Sequence, residues 1–97
     1  MAYRIIFAPE ALEDFRNLRA YIRAAVRDAI KRHLQHQPTH LGKSLIKRLR
    51  DIEKPQYRLR VGDIRVFYDV RGSEVEILAI IEKRHAADWL EKWGRKS

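Results

Sequence analysis

Two alternating runs joined by a two-residue turn constrain this chain most. Tyr57-Arg58-Leu59-Arg60-Val61 is followed by Gly62-Asp63 and then by Ile64-Arg65-Val66-Phe67-Tyr68-Asp69-Val70. Alternation at period two with a Gly-Asp break reads as a β-hairpin. A two-residue turn fixes the register. It sets Val61 opposite Ile64, Arg60 opposite Arg65, Leu59 opposite Val66, Arg58 opposite Phe67 and Tyr57 opposite Tyr68. One face then carries Tyr57, Leu59, Val61, Ile64, Val66, Tyr68 and Val70 and is apolar enough to be core. The other carries Arg58, Arg60, Arg65, Phe67 and Asp69. A second turn at Gly72-Ser73 leads into a strand over Glu74–Ile81, with Val70 opposite Val75 and Phe67 opposite Leu78. That register adds Leu78 and Ile80 to the arginine face. Arg84 follows on the same parity if the strand runs that far.

The rest of the chain supplies elements to cover such a sheet. Tyr3–Phe7 is rich in β-branched and aromatic residues and reads as a strand. Pro9 suits a first helical position, and Glu10, Glu13 and Asp14 suit the positive end of a helix dipole. Leu12, Phe15, Leu18, Ile22, Val26, Ile30 and Leu34 continue at helical spacing, with Arg16, Arg19, Arg23 and Arg27 off the stripe. A single helix of that length would extend about 42 Å, too long for so small a domain. Two antiparallel helices broken near Arg19–Ala24 are expected instead. Pro38–Gly42 reads as a loop. Lys43–Lys54 reads as a basic connection with a short strand at Leu45–Leu49, and Ala86–Trp93 as a short helix stopped by Gly94. The order is β-α-α-β-β-β-α, an α+β fold in one domain spanning 1–97.

Composition narrows the function classes. The 97 residues hold 21 Lys+Arg against 13 Asp+Glu, a net charge of +8, and no cysteine. Length excludes a second domain and a large α/β enzyme. The absence of cysteine excludes disulfides, thiolate metal sites and a cysteine nucleophile. Residues 43–65 alone carry 8 basic and 3 acidic side chains, whereas 66–97 carry 6 of each. Like charges facing each other weaken a sheet, and Arg60 opposite Arg65 is such a pair. Converging guanidinium groups beside Phe67 suit a phosphate and a stacked base. Nucleic acid is the expected partner. The competing reading is a solvated face whose arginine stems shield Phe67, Leu78 and Ile80. No apolar run is long enough to span a membrane, and the N-terminus lacks the features of a signal peptide. A cytoplasmic protein with no membrane partner is expected. His33, His36 and His40 lack ligand-like companions, no carboxylate cluster suits a two-metal site, and neither metal nor cofactor is expected. Tyr57 and Tyr68 are expected to pack in the core. Trp89 and Trp93 are expected to dock the last helix or touch a partner.

The string YRLRVGDIRVFYDV, preceded by the Tyr3–Phe7 strand, two helices and the Pro38 loop, resembles the RelE/ParE toxins of type II toxin–antitoxin systems. The resemblance covers nearly the whole chain. It implies two N-terminal helices packed on a mostly antiparallel sheet. It also implies a toxin neutralised by a cognate antitoxin in a hetero-oligomer. The RelE branch implies a metal-independent endoribonuclease that cuts mRNA on the ribosome, and the ParE branch a non-enzymatic inhibitor of DNA gyrase. Carried over by position, the family's basic strand residues fall on Arg58 and Arg60, the next strand's arginine on Arg65, and the arginine after the last strand on Arg84. The RelE branch often ends with a catalytic tyrosine. Here the segment reads Lys83-Arg84-His85-Ala86-Ala87-Asp88-Trp89-Leu90, with no tyrosine. The expectation for an RNase is Arg65, Arg84 and His85 as the catalytic groups, His85 carrying the proton. Arg58, Arg60, Phe67 and Lys83 would contact RNA. A third possibility is a module without intrinsic toxicity, acting only within an antitoxin–operator complex.

Overall fold

A computed structural model describes residues 2–42 and 45–96. Seven strands and three helices are present among them. They are β1 (Arg4–Phe7), α1 (Pro9–Arg16), α2 (Ala20–Ala29, widening into a π-helical turn over Ile30–Leu34), β2 (Ile46–Arg48), β3 (Ile52–Lys54), β4 (Tyr57–Val61), β5 (Ile64–Arg71), β6 (Glu74–Glu82), α3 (Lys83–Trp93) and β7 (Arg95–Lys96). The main sheet runs β1-β6-β5-β4-β2. Only the β1–β6 pair is parallel, so the sheet is mostly antiparallel. No helix among the described residues is long and apolar enough to cross a membrane.

The β4–β5 register is the expected one, from Val61 opposite Ile64 to Tyr57 opposite Tyr68. Both hairpins turn on a glycine in the left-handed region, Gly62 at φ 57° and Gly72 at φ 58°. That conformation carries no side-chain penalty for glycine. The inner sheet face presents Leu59, Ile64, Val66, Tyr68, Val75, Ile77 and Ile80, which pack on Ala11, Val26, Ile30 and Leu34 from the helices. Each fully buried Val, Leu or Ile there contributes about 1.5–3 kcal/mol. Tyr68 is fully buried, stacks on Tyr57 at 5.5 Å, and donates its hydroxyl to the Pro38 carbonyl at 2.6 Å. Burial pushes its ionisation well above the usual phenol range.

The β5–β6 register departs from expectation. Val70 does face Val75, but Tyr68 faces Ile77 while Phe67 faces Ala79, so Leu78 is an extra residue in a β-bulge. The bulge reverses the parity beyond it. Ile80 therefore joins the core, where it is buried, and Ala79 and Ile81 take the outer face. The bulge lies where β6 loses its β1 neighbour, since β1 pairs only as far as Phe7 opposite Ile77. Helix α1 takes over there. The Asp14 carboxylate accepts the Ile80 N–H at 3.0 Å, a ladder bond that no strand supplies.

Three boundaries also differ. The helix break falls at Asn17–Arg19, where the Arg23 guanidinium donates to the carbonyls of Arg16 and Leu18 at the end of α1. The basic connection holds two short strands rather than one. Strand β6 ends at Glu82, so Lys83, Arg84 and His85 lie in the first turn of a helix. The second short strand, β3, pairs with β7 beyond α3, and Arg95 meets Glu53 at 3.1 Å across that pair.

Candidate nucleic-acid interface

The outer sheet face carries two consecutive rungs of like charge. Lys47 on β2 faces Arg58 on β4, and Arg60 on β4 faces Arg65 on β5. These side chains share a face because directly opposed residues of an antiparallel pair point the same way. Burial, then Arg65 and Arg60, lower the pKa of the Arg58 guanidinium. Three guanidinium groups on this face thus sense one another.

They are not equivalent. Arg65 is 9% exposed, and its Nη1 donates to the carbonyls of Gly62 at 2.8 Å and Ile64 at 3.1 Å. It locks the β4–β5 turn while placing a cation beneath it. Arg58 is half-buried, and Arg60 is exposed. Asp69, on the same face, is engaged locally. It accepts the Gln56 N–H at 2.7 Å and lies 3.7 Å from the Lys54 ammonium.

Helix α3 lies over the rest of this face. Phe67 is 1% exposed and stacks flat on Trp89, centroids 5.1 Å apart and planes 11° from parallel. The expectation that Phe67 is open to a base is therefore corrected. Trp89, about two turns into α3, fills that position. Trp93, by contrast, stays exposed.

The start of α3 meets the hairpin tip. The Lys83 N–H donates to the Asp63 carbonyl at 2.7 Å, and Ile64 faces Glu82. Lys83, Arg84 and His85 are all exposed, and no acidic residue lies in the helix's first turn. Asp63, Glu82, Lys83 and Arg84 line an open hollow of about 340 Å³. Arg84 lies 3.6 Å from Glu82 in an exposed ion pair. Cations at a helix N-terminus oppose the dipole, and an anion there is stabilised by both.

The structure thus brings Arg60, Arg65, Lys83, Arg84 and His85 to one end of the sheet, with Arg58 one rung further in. It withdraws Phe67. Sequence reasoning missed Lys47, whose pairing with Arg58 lay hidden in a loosely patterned segment. His33 stands apart, half-buried, its imidazole pKa lowered by burial and by Arg32. Among the described residues, no group of three or more His, Cys, Asp or Glu could hold a metal ion.

Known proteins share this architecture. The chain is similar to the RelB–RelE antitoxin–toxin complex from Methanococcus jannaschii, with 21% identity over 87% of this chain and 96% of that one, at a TM-score of 0.65. It is similar to the RelBE2 toxin–antitoxin complex from Mycobacterium tuberculosis, with 26% identity, 84% and 99% coverage, and a TM-score of 0.66. A free-state mutant of the Escherichia coli toxin RelE matches at 20% identity, with 94% and 93% coverage and a TM-score of 0.58. No curated protein matches the sequence significantly. The profile of one family, the ParE toxin of type II toxin–antitoxin systems (parDE), matches residues 5–87. Fold and sequence profile agree, and the chain belongs to the RelE/ParE family of type II toxin–antitoxin toxins.

Proposed function

We propose that this toxin is a ribosome-dependent, metal-independent mRNA endoribonuclease of the cytoplasm, held inactive by a cognate antitoxin. The antitoxin is supported by relatives that are toxin–antitoxin complexes. The observation that carries the RNase reading is the first turn of α3. Lys83, Arg84 and His85 stand at its positive end, beside the Arg60–Arg65 rung. Such an arrangement is costly unless an anion occupies it.

Cleavage through the 2′-hydroxyl fits these groups. His85 takes the 2′-hydroxyl proton as the 2′ oxygen attacks phosphorus. The dianionic phosphorane forms against Arg84 and Lys83. The bond to the 5′ oxygen then breaks, and the His85 imidazolium returns its proton to that oxygen. The products are a 2′,3′-cyclic phosphate and a 5′-hydroxyl. Arg60 holds the backbone from the sheet, while Arg58 and Arg65 provide positive potential from beneath.

Pulse labelling after induction tests this. Amino-acid incorporation is expected to fall before thymidine incorporation, and an Arg60→Gln/Arg84→Gln protein, altered only at exposed positions, is expected to relieve the arrest. Thymidine incorporation falling first would reject the RNase and support the second reading, a non-enzymatic gyrase inhibitor. That reading draws on Trp89 covering the aromatic platform and on a single candidate proton carrier at the site.

A further inference from the structure

The largest uncompensated charge array is not at the sheet end. Between Phe15 and Arg50 the chain has ten basic side chains and one acid, Asp28. Within that stretch Arg19, Arg23, Arg27 and Lys31 recur every four residues, from the N-cap of α2 into its π-helical turn. At 1.5 Å per residue the row is about 18 Å long. It runs beside the stripe Ile22, Val26 and Ile30, which faces the core. Arg19, Arg27 and Lys31 are exposed. Arg23 is pinned in line by its bonds to the end of α1.

Two features set this row apart from an ordinary solvated face. Like charges four apart on a helix repel, and a cation at the N-cap opposes the dipole. Among the described residues only Arg23 is relieved, by its bonds to the end of α1. Among the described residues, the ion pairs involve Arg4, Lys54, Arg71, Arg84, Arg95 and Lys96, and none involves α2. A helix selected only for solubility would place Glu among its arginines.

We propose that the α2 row is a second anionic-ligand surface that grips the phosphate backbone of double-helical RNA. A row of this length, winding gradually around the helix, suits a backbone edge. It does not suit a single phosphate, which one guanidinium pair would hold. Helix α2 packs on the inner sheet face, whereas α3 covers the outer one. One extended strand in the sheet-end site therefore does not reach it. The partner this fits is a folded RNA, touched on one side by α2. The inference does not need His85 chemistry, because binding alone reads it out.

The test is equilibrium binding of the free toxin to an RNA hairpin of about 16 base pairs, followed by fluorescence anisotropy across a salt series. Replacing Arg19, Arg27 and Lys31 together by Gln is expected to lower the slope of log affinity against log salt by about 2–3. At about 0.1 M salt, binding is expected to weaken roughly tenfold or more. Arg19→Lys with Arg27→Lys is expected to keep the slope. Should the triple variant misfold by circular dichroism, Arg27→Gln with Lys31→Gln is expected to lower the slope by about 2. An unchanged slope in a folded variant overturns the proposal. So does a slope that falls only with Arg60→Gln/Arg84→Gln, which would place all binding at the sheet end. Loss of antitoxin binding with RNA binding intact also overturns it, and reassigns the row to an acidic protein surface. Intact hairpin binding without any cleavage leaves this proposal standing and removes only the RNase.

Discussion

Trp89 lies flat on Phe67, 5.1 Å between ring centres, and is the aromatic contact that fastens α3 to the sheet. None of the residues of α3 is fully buried, so the helix depends on this stack and on the β3–β7 clasp. Trp89→Ala is expected to cost about 2–4 kcal/mol in urea unfolding and to uncover Phe67. Increased binding of an apolar dye to the folded variant would report the uncovering. A stability equal to the parent protein's would show that the clasp alone suffices.

Arg65 is structural as well as cationic. Its guanidinium holds the carbonyls of Gly62 and Ile64 in a nearly closed setting. Arg65→Ala is expected to lose about 1.5–3 kcal/mol. Any loss of toxicity in that variant then mixes folding with function. Arg60→Gln and Arg84→Gln are expected to change stability by less than about 0.5 kcal/mol, since both side chains are exposed. Denaturant midpoints of the three variants, measured side by side, check this ordering.

Tyr68→Phe removes the hydroxyl that the Pro38 carbonyl accepts from. A buried acceptor is left unmatched, and a loss of about 1–3 kcal/mol is expected. Growth arrest by the variant is expected to persist at a temperature where it remains folded. Its abolition there would assign Tyr68 a part in the reaction.

Asp14 gives the fold a pH dependence. Burial, reinforced by Glu10 and Glu13, raises its pKa above 3.8 despite the bond from Ile80. The folded state therefore binds this proton more tightly than the unfolded state. The contribution is present at low pH and is lost as pH rises through the raised value. Asp14→Asn keeps an oxygen for the Ile80 N–H without the buried charge. It is expected to be at least as stable at pH 7 and to flatten the stability profile in the window above about pH 4. A variant that is less stable at pH 7, with the slope unchanged, would contradict this.

Local chemistry made the hairpins legible. Gly62 and Gly72 mark the turns, and alternation from Tyr57 to Val70 marks the two faces. The extra residue at Leu78 left no such mark, because its cause is remote. Strand β1 stops at Phe7, and Asp14 of another element completes the edge. The clustering of Arg58, Arg60 and Arg65 followed from the turn register. The loss of Phe67 to Trp89 did not, since the docking of a half-polar helix depends on tertiary contacts absent from its periodicity. Likewise, nothing in Ile52–Lys54 or Arg95–Lys96 announces that they pair, each being too short to show alternation.

The parallel pairing of β1 with β6, Arg4 opposite Glu74, has a consequence for biosynthesis. Strand β6, which carries β1 on one side and β5 on the other, is translated after β1 and both leading helices. The N-terminal strand and both leading helices must wait, without their platform, until that segment leaves the exit tunnel. Native packing of these elements then lags well behind their synthesis.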